Sequence, residues 1–368
     1  TIVKSSDYEN NRPIFTKTFL DSNVLTNKPN YEIEIEFIGN SDSYGTANNA
    51  EFKKHLLGDM FKYVRYIFQA LEDSFYITSK IERQYVLDNY NRLTGSWYFK
   101  APLMITLEKD QVVKLNDYQN IKNIRKDYTV TDKADGIRNL LLFIANNDGK
   151  TCNLYLMNRQ SDIKKLGIQT PIEYQDTIVD GELITKDIIG KTIQLYMAFD
   201  IYYLKGKSVM PLNLIERIGG PDYEGHLQIL LKELTPTLIK NDNNPFVFDI
   251  KKFYFGDSSS DKRDTTIFKY CNTILANKDS KVYPYHIDGL IFTPVQEGIW
   301  GDGIVKEKQL RWESTFKWKP PEENTIDFHV KIENDNRGRE KIYSYQENNI
   351  IVSYKKCILH VGYDKDRH

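Results

Sequence analysis

Cysteine is scarce in this 368-residue chain: Cys152, Cys271 and Cys357 lie far apart and form no Cys-x-x-Cys pair. That scarcity argues against a disulfide framework or a thiolate zinc site and favours a reducing compartment. Long apolar runs are missing too, and no charged-then-apolar leader opens the chain. The expectation is a soluble, intracellular, cytoplasmic protein with no membrane partner. An excess of one charge is also absent. The 50 Lys and Arg side chains face 51 Asp and Glu, for a formal net charge of −1. No global field is available to grip a nucleic acid, so any such contact needs a local basic patch.

Aromatic residues, in contrast, are plentiful, with 25 Tyr and 18 Phe. Hydrophobic residues reach 40%, enough to fill sizeable cores, so disorder is not the default. The length allows about two domains at roughly 150 residues each. The richness in Asn, Lys and Ile fits an AT-rich coding genome. The chain opens at Thr1 rather than Met, which suggests a piece of something longer.

Residues 1–48 are polar except for "YEIEIEFIG" at 31–39, where Glu32, Glu34 and Glu36 alternate with Ile33, Ile35 and Phe37. A period of two predicts a strand. From Phe52 to Phe75 apolar residues recur at helical spacing, predicting one long helix, and a second runs from about Ser79 to Asn91. Residues 125–204 read as successive strands separated by Gly, Asn and Asp turns such as Asn147-Asp148-Gly149. Helices are expected at 223–233 and 262–276, and strands resume at "YHIDGLIFTPV" and "ESTFKWKP". After Pro320-Pro321 the pattern shifts to short strands, a plausible boundary to a small β module.

The chemistry-bearing motifs are weak one at a time. Lys133-Ala134-Asp135-Gly136, Asp180-Gly181-Glu182-Leu183 and Asp288-Gly289-Leu290 are all good hairpin-turn chemistry. "FKWKP" at 316–320 alternates lysine with aromatics, as a half-exposed strand would. Their order adds more. KADGIR (133–138), YLMNR (155–159), DGEL (180–183), MAFDIYYL (197–204), HIDGLIF (286–292) and FKWKP form a series. It resembles the covalent nucleotidyltransferases, which comprise mRNA capping guanylyltransferases, DNA ligases and RNA ligases. The resemblance covers about residues 100–325.

The resemblance implies an α+β fold: a ligase-like nucleotidyltransferase domain of antiparallel sheets with flanking helices, then a partial or complete OB-fold module. In this chain that gives an N-terminal segment at 1–48, a helical region at 49–97, the nucleotidyltransferase domain at 98–321 and an incomplete OB module at 322–368. It makes Lys133 the nucleophile, with Asp135, Gly136, Arg138, Arg159, Glu182, Phe199, Lys317 and Lys319 around the nucleotide. Arg138 and Glu182 would meet the ribose, Phe199 the base, and Lys317 and Lys319 the phosphates. Glu182 and Asp288 would hold Mg²⁺ or Mn²⁺ through hard carboxylate oxygens.

Asp-Gly-Leu-Ile-Phe at 288–292, Lys-Trp-Lys-Pro after Phe316, and "APLMITLEKD" at 101–110 resemble the capping branch more than the ligases. The expected substrates are GTP and a 5′-diphosphate RNA; an ATP-dependent polynucleotide ligase and a non-catalytic nucleotide- or RNA-binding scaffold are the alternatives. "EIEIEF" resembles a metal-binding strand of triphosphate tunnel metalloenzymes, which would make Glu32, Glu34 and Glu36 remnants of a triphosphatase site. A longer viral parent protein, with triphosphatase and methyltransferase domains and a viral factory or virion as its site of action, follows from the same likeness. One element departs from the pattern. The Arg-rich last motif has no match after Pro321, and "YDKDRH" at 363–368 keeps only its Asp-Lys pair.

Overall fold

The computed structural model describes residues 2–3, 8–9, 12–24, 26–27, 30–36, 50–72, 74–113, 121–240, 244–256, 263–301, 310–323, 328–347 and 350–362. These form two compact units, one of residues 1–85 with 163–166 and one of residues 86–162 with 167–368. No helix among the described residues is long and apolar enough to cross a membrane.

In the first unit the long helix runs Ala50–Leu71 and the second begins at Lys80, close to the expected limits. Ser79 starts the second helix by accepting the Glu82 N–H on its hydroxyl at 3.1 Å, an N-cap. The alternating segment behaves differently from its pattern. Only Asn30–Tyr31 forms a strand, paired with Ile2–Val3. Residues 32–36 join no ladder, and Glu32, Glu34 and Glu36 are exposed. Residues 37–39 lie outside the described residues. Alternation supplies a two-faced strip, but a strand also needs a neighbour to take its backbone hydrogen bonds.

The second unit is built on two sheets. At the centre of an eight-stranded sheet, Thr192–Leu204, Thr177–Lys186, Ile137–Ala145 and Thr151–Asn158 lie side by side and antiparallel. Phe246–Ile250 adds parallel to the first of these. A five-stranded sheet runs in the order Tyr254–Phe255, Tyr128–Ala134, Ile287–Pro294, Arg311–Trp318 and Leu103–Thr106. The fold is α+β with largely antiparallel sheets, as the sequence implied.

Period two sorts the smaller sheet's faces. Tyr128, Val130, Leu290, Phe292 and Phe316 pack with Ile267 and Ile274 of the helix Arg263–Asp279. Thr131, Lys133, Ile291 and Lys317 are thereby left for the opposite face. In the large sheet, Arg217 of the short helix Leu214–Ile218 is fully buried and holds Asp200 through Nε at 2.8 Å and Nη2 at 3.0 Å. It fixes the strand that carries Phe199.

Beyond Pro321 two ladders form, His329–Ile332 with Cys357–His360 and Ile342–Glu347 with Ile350–Lys355. Among the described residues these are separate two-stranded sheets, fewer than the five strands of an OB barrel. The Asp-Lys pair near the end of the chain lies outside the described residues.

Removing one partner of a buried ion pair strands the other charge. Asp200→Ala is therefore expected to cost about 3–5 kcal/mol. Urea unfolding should show a lower midpoint, and an unchanged midpoint would disprove the anchoring role.

Candidate active site

Lys133 is the last residue but one of the strand Tyr128–Ala134, and Ile137 begins the next. The Asp-Gly between them looked like a hairpin turn. It is not one, because the two strands belong to different sheets: Lys133 pairs with Gly289 of the smaller sheet, and Arg138 with Glu182 of the larger. Asp135–Gly136 is a crossing between sheets. Its backbone is tied down where the Asp135 N–H donates to the His286 carbonyl at 2.9 Å, while the Asp135 side chain is exposed. Gly136 is needed for space: a Cβ there would lie 2.7 Å from Glu182 Cγ and 2.8 Å from the Leu183 carbonyl oxygen.

On the smaller sheet the Lys133 ammonium reaches both oxygens of Asp288, at 2.8 and 3.0 Å. Lys319 meets the same carboxylate at 2.5 Å. Burial opposes ionisation of Asp288, but the two lysines outweigh it and hold the carboxyl below its usual range. Gly289 lets the strands approach, since a Cβ would sit 2.0 Å from the Trp318 carbonyl oxygen. Lys317 stands opposite Ile291 in register and is half-buried, with no ion pair to another described residue.

On the larger sheet Arg138 forms a fork with Asp180, Nε at 3.0 Å and Nη2 at 2.5 Å, and donates to the Pro102 carbonyl at 2.7 Å. Tyr202 adds its hydroxyl to the same carboxylate. Burial works against the arginine's charge, yet the Asp180 carboxylate overrides it and raises the Arg138 pKa. Glu182, in register with Arg138, makes no hydrogen bond or ion pair with a described residue. Burial pushes its carboxyl up, against the pull of Lys251, Arg138 and Lys133.

Between the sheets lies a cleft enclosing about 620 Å³, its mouth included, with Arg138, Glu182, Phe199, Lys251, Ile291 and Trp312 among its walls. Phe199 is half-buried, with the Arg138 guanidinium 5.4 Å and the Lys251 ammonium 5.8 Å from its ring centre. Lys251 is itself 3% exposed, donating to the Asp132 carbonyl at 3.0 Å and facing its carboxylate at 3.4 Å.

The structure thus gathers Lys133, Asp288 and Lys319 in one cluster and Arg138, Glu182 and Phe199 in one cleft. Arg159 is exposed in the turn after Thr151–Asn158 and is not among the cleft's walls; since Asn158 pairs with Asn139, it stands at the Arg138 end of the sheet. Sequence reasoning missed Lys251, which sits in no recognisable motif, and gave no role to Asp180, although the quoted Asp-Gly-Glu-Leu contains it. Among the described residues no three His, Cys, Asp or Glu side chains gather as metal ligands. Glu182 and Asp288 suit a hard cation that brings its remaining oxygens with a phosphate substrate better than a resident ion.

A cleft between two antiparallel sheets, with two lysines sharing a carboxylate on one of them, accords with a nucleotidyltransferase. Residues 110–321 match the family model described as mRNA capping enzyme, catalytic domain, and the chain belongs to that family. It is 27% identical to the "Probable mRNA-capping enzyme" of Acanthamoeba polyphaga mimivirus, over 93% of this chain and 30% of that protein. It is also 26% identical to an mRNA-capping enzyme of African swine fever virus (82% of this chain, 29% of that protein) and to that of Mus musculus (59% and 33%). The chain spans about a third of the length of these relatives.

The raised Glu182 carboxyl has a consequence for stability. An acid whose folded pKa lies above its unfolded value costs stability as pH rises from the ordinary glutamate range, near ~4.3, through the folded value. Glu182→Gln should melt higher than the parent protein at pH 7.5, with the gain vanishing at pH 4. Equal melting temperatures at pH 7.5 would contradict the burial of an unpaired charge.

Proposed function

We propose that this chain is an mRNA guanylyltransferase working through a lysyl-GMP intermediate. In the first half-reaction the Lys133 ammonium gives up a proton to solvent, and the neutral Nζ attacks the α-phosphorus of GTP. A P–N bond forms, the P–O bond to the β-phosphate breaks, the nitrogen sheds a second proton, and pyrophosphate leaves. In the second, a terminal β-phosphate oxygen of a 5′-diphosphate RNA attacks the same phosphorus. The P–N bond breaks, GMP passes to the RNA, and the nitrogen regains its two protons from solvent. The observation that carries this reading is the sharing of Asp288 by Lys133 and Lys319 on the sheet that forms one wall of the cleft.

Each nearby group has a part in this scheme. Asp288 holds Nζ in position; with its carboxyl held low, it is a weak base and serves as an anchor. An incoming triphosphate competes for Lys319 and, with Lys317, meets cations already fixed along one strand, so little reorganisation is needed as charge shifts to the leaving group. Glu182, lacking a partner of its own, is available to the ribose hydroxyls. Mg²⁺ or Mn²⁺ arriving with GTP would be held by Glu182 and Asp288 oxygens and would neutralise charge on the departing pyrophosphate.

Phe199 and Ile291 line the cleft where a flat base fits, and base–aromatic stacking is worth about 1–3 kcal/mol. Membership of the capping-enzyme family supports GTP over ATP and so the capping reading over the ligase reading. Kinship with the viral capping enzymes supports a cytoplasmic site of action, in a viral factory or virion.

Incubation with α-labelled GTP and Mg²⁺ or Mn²⁺, followed by denaturing electrophoresis, should leave label on the protein. Lys133→Ala should abolish it, and Lys317→Ala should slow it about 100-fold or more, as for loss of one preorganised charge. Label from ATP alone would indicate a polynucleotide ligase instead. Nucleotide binding with no covalent label would favour a non-catalytic scaffold.

A further inference from the structure

A second depression lies beyond the end of the Lys133 strand. Lys278, Lys281, Tyr283, His286 and Ile188 line it, and it encloses about 620 Å³ with its mouth. Its position relative to the nucleophile follows from register. Lys133 pairs with Gly289, and His286 stands three residues earlier on that partner segment. At ~3.3 Å per residue the groove is about 10 Å from the lysine. The His286 carbonyl accepts the Asp135 N–H at 2.9 Å, so the groove wall and the loop after Lys133 are joined. On the other side the Ile188 N–H donates to the Pro284 carbonyl at 3.1 Å, fixing the turn between Thr177–Lys186 and Thr192–Leu204 as its rim.

Four lysines (Lys186, Lys191, Lys278 and Lys281) meet three acids here (Asp187, Asp279 and Glu323), which leaves an excess of one positive charge. Lys281 is exposed and makes no ion pair with a described residue. Lys278 has a partner, Glu323, at 3.3 Å, with both side chains partly exposed, so the pair is weak and exchangeable. Asp187 on the rim is turned inward, its Oδ1 accepting the Ile189 and Lys191 N–H groups at 3.0 and 2.8 Å. Asp279 is the one acid lining the groove. Lys186 and Lys191, both exposed, continue the basic character along the rim. Tyr283 adds a half-buried ring to the same groove, braced by Tyr285 with ring centres 5.8 Å apart.

Cations spaced around an aromatic ring are the pattern that holds single-stranded nucleic acid, phosphates on the lysines and a base on the ring. In a chain with a net charge of −1 such a local patch is needed if nucleic acid is to dock at all. We infer that this groove is the docking site for the first nucleotides of the acceptor RNA, downstream of the 5′ end that reacts at Lys133. The inference rests on the guanylyltransferase reading for the identity of the acceptor. The estimated separation of about 10 Å leaves room for the reacting diphosphate and first sugar, with Lys278 and Lys281 on the groove wall for the phosphates that follow.

The test uses the full chain and a fluorescent single-stranded RNA of about ten nucleotides with a 5′-diphosphate, read by anisotropy over a range of salt. The combined Lys278→Ala and Lys281→Ala protein should bind about tenfold more weakly. Its slope of log K against log salt should be shallower by about 0.7 for each RNA phosphate that no longer meets a lysine. GMP labelling of Lys133 should proceed at the parental rate. The charge-preserving Lys278→Arg and Lys281→Arg protein should bind RNA like the parent, which controls for folding. Unchanged affinity and slope in the alanine protein would overturn the assignment. If the parent protein took no GMP, the guanylyltransferase reading would fail, while the anisotropy would still decide whether RNA docks in the groove.

Discussion

One carboxylate shared by two lysines sets the terms for the rest of the catalytic unit. Asp288 keeps Lys133 and Lys319 within hydrogen-bond reach of a common point, in a place too confined for water to screen them fully. Like charges separate unless something between them compensates, and a single buried carboxylate does so only when strands bring all three together. Gly289 is the condition for that approach, because the Trp318 backbone occupies the space any side chain would need. The smaller sheet therefore holds both lysines and the carboxylate in one frame. Its opposite face packs on the helix Arg263–Asp279 and so supports the frame.

The larger sheet supplies a complementary surface. Arg138 is fully engaged by Asp180, Tyr202 and Pro102, so its position is settled before any ligand arrives. Glu182 next to it is the opposite case, a carboxylate with burial against it and no described partner. One group is stable and committed; the other is costly and available. Such a contrast is what a binding cleft requires, since a residue already satisfied by the protein has little to offer a substrate.

Much of this was legible in the residues. The strands from Tyr128 to Leu204, the helices near 226–234 and 263–279, and the Lys133, Glu182, Asp288 and Lys319 positions all follow from period-two patterns and ordered motifs. What escaped were relations between distant segments. Asp-Gly at 135–136 carries every local mark of a hairpin, and only pairing partners far along the chain decide that its two strands go to different sheets. Lys251 lies in a short, motif-free stretch and becomes notable through its neighbours Asp132 and Phe199. The Glu32–Glu36 alternation shows the converse: a clean local pattern that joins no ladder among the described residues.

The crossing at Asp135–Gly136 has a mechanical meaning. It is matched by a second short link: residues 251–253 lead from Phe246–Ile250 of the larger sheet to Tyr254–Phe255 of the smaller one. Within that link the Lys251 ammonium donates to the Asp132 carbonyl at 3.0 Å, and the Lys252 carbonyl accepts the Thr131 hydroxyl at 2.8 Å. Two sheets held at one point could swing; held at two, they keep the spacing of Lys133 and Arg138 without help from a ligand.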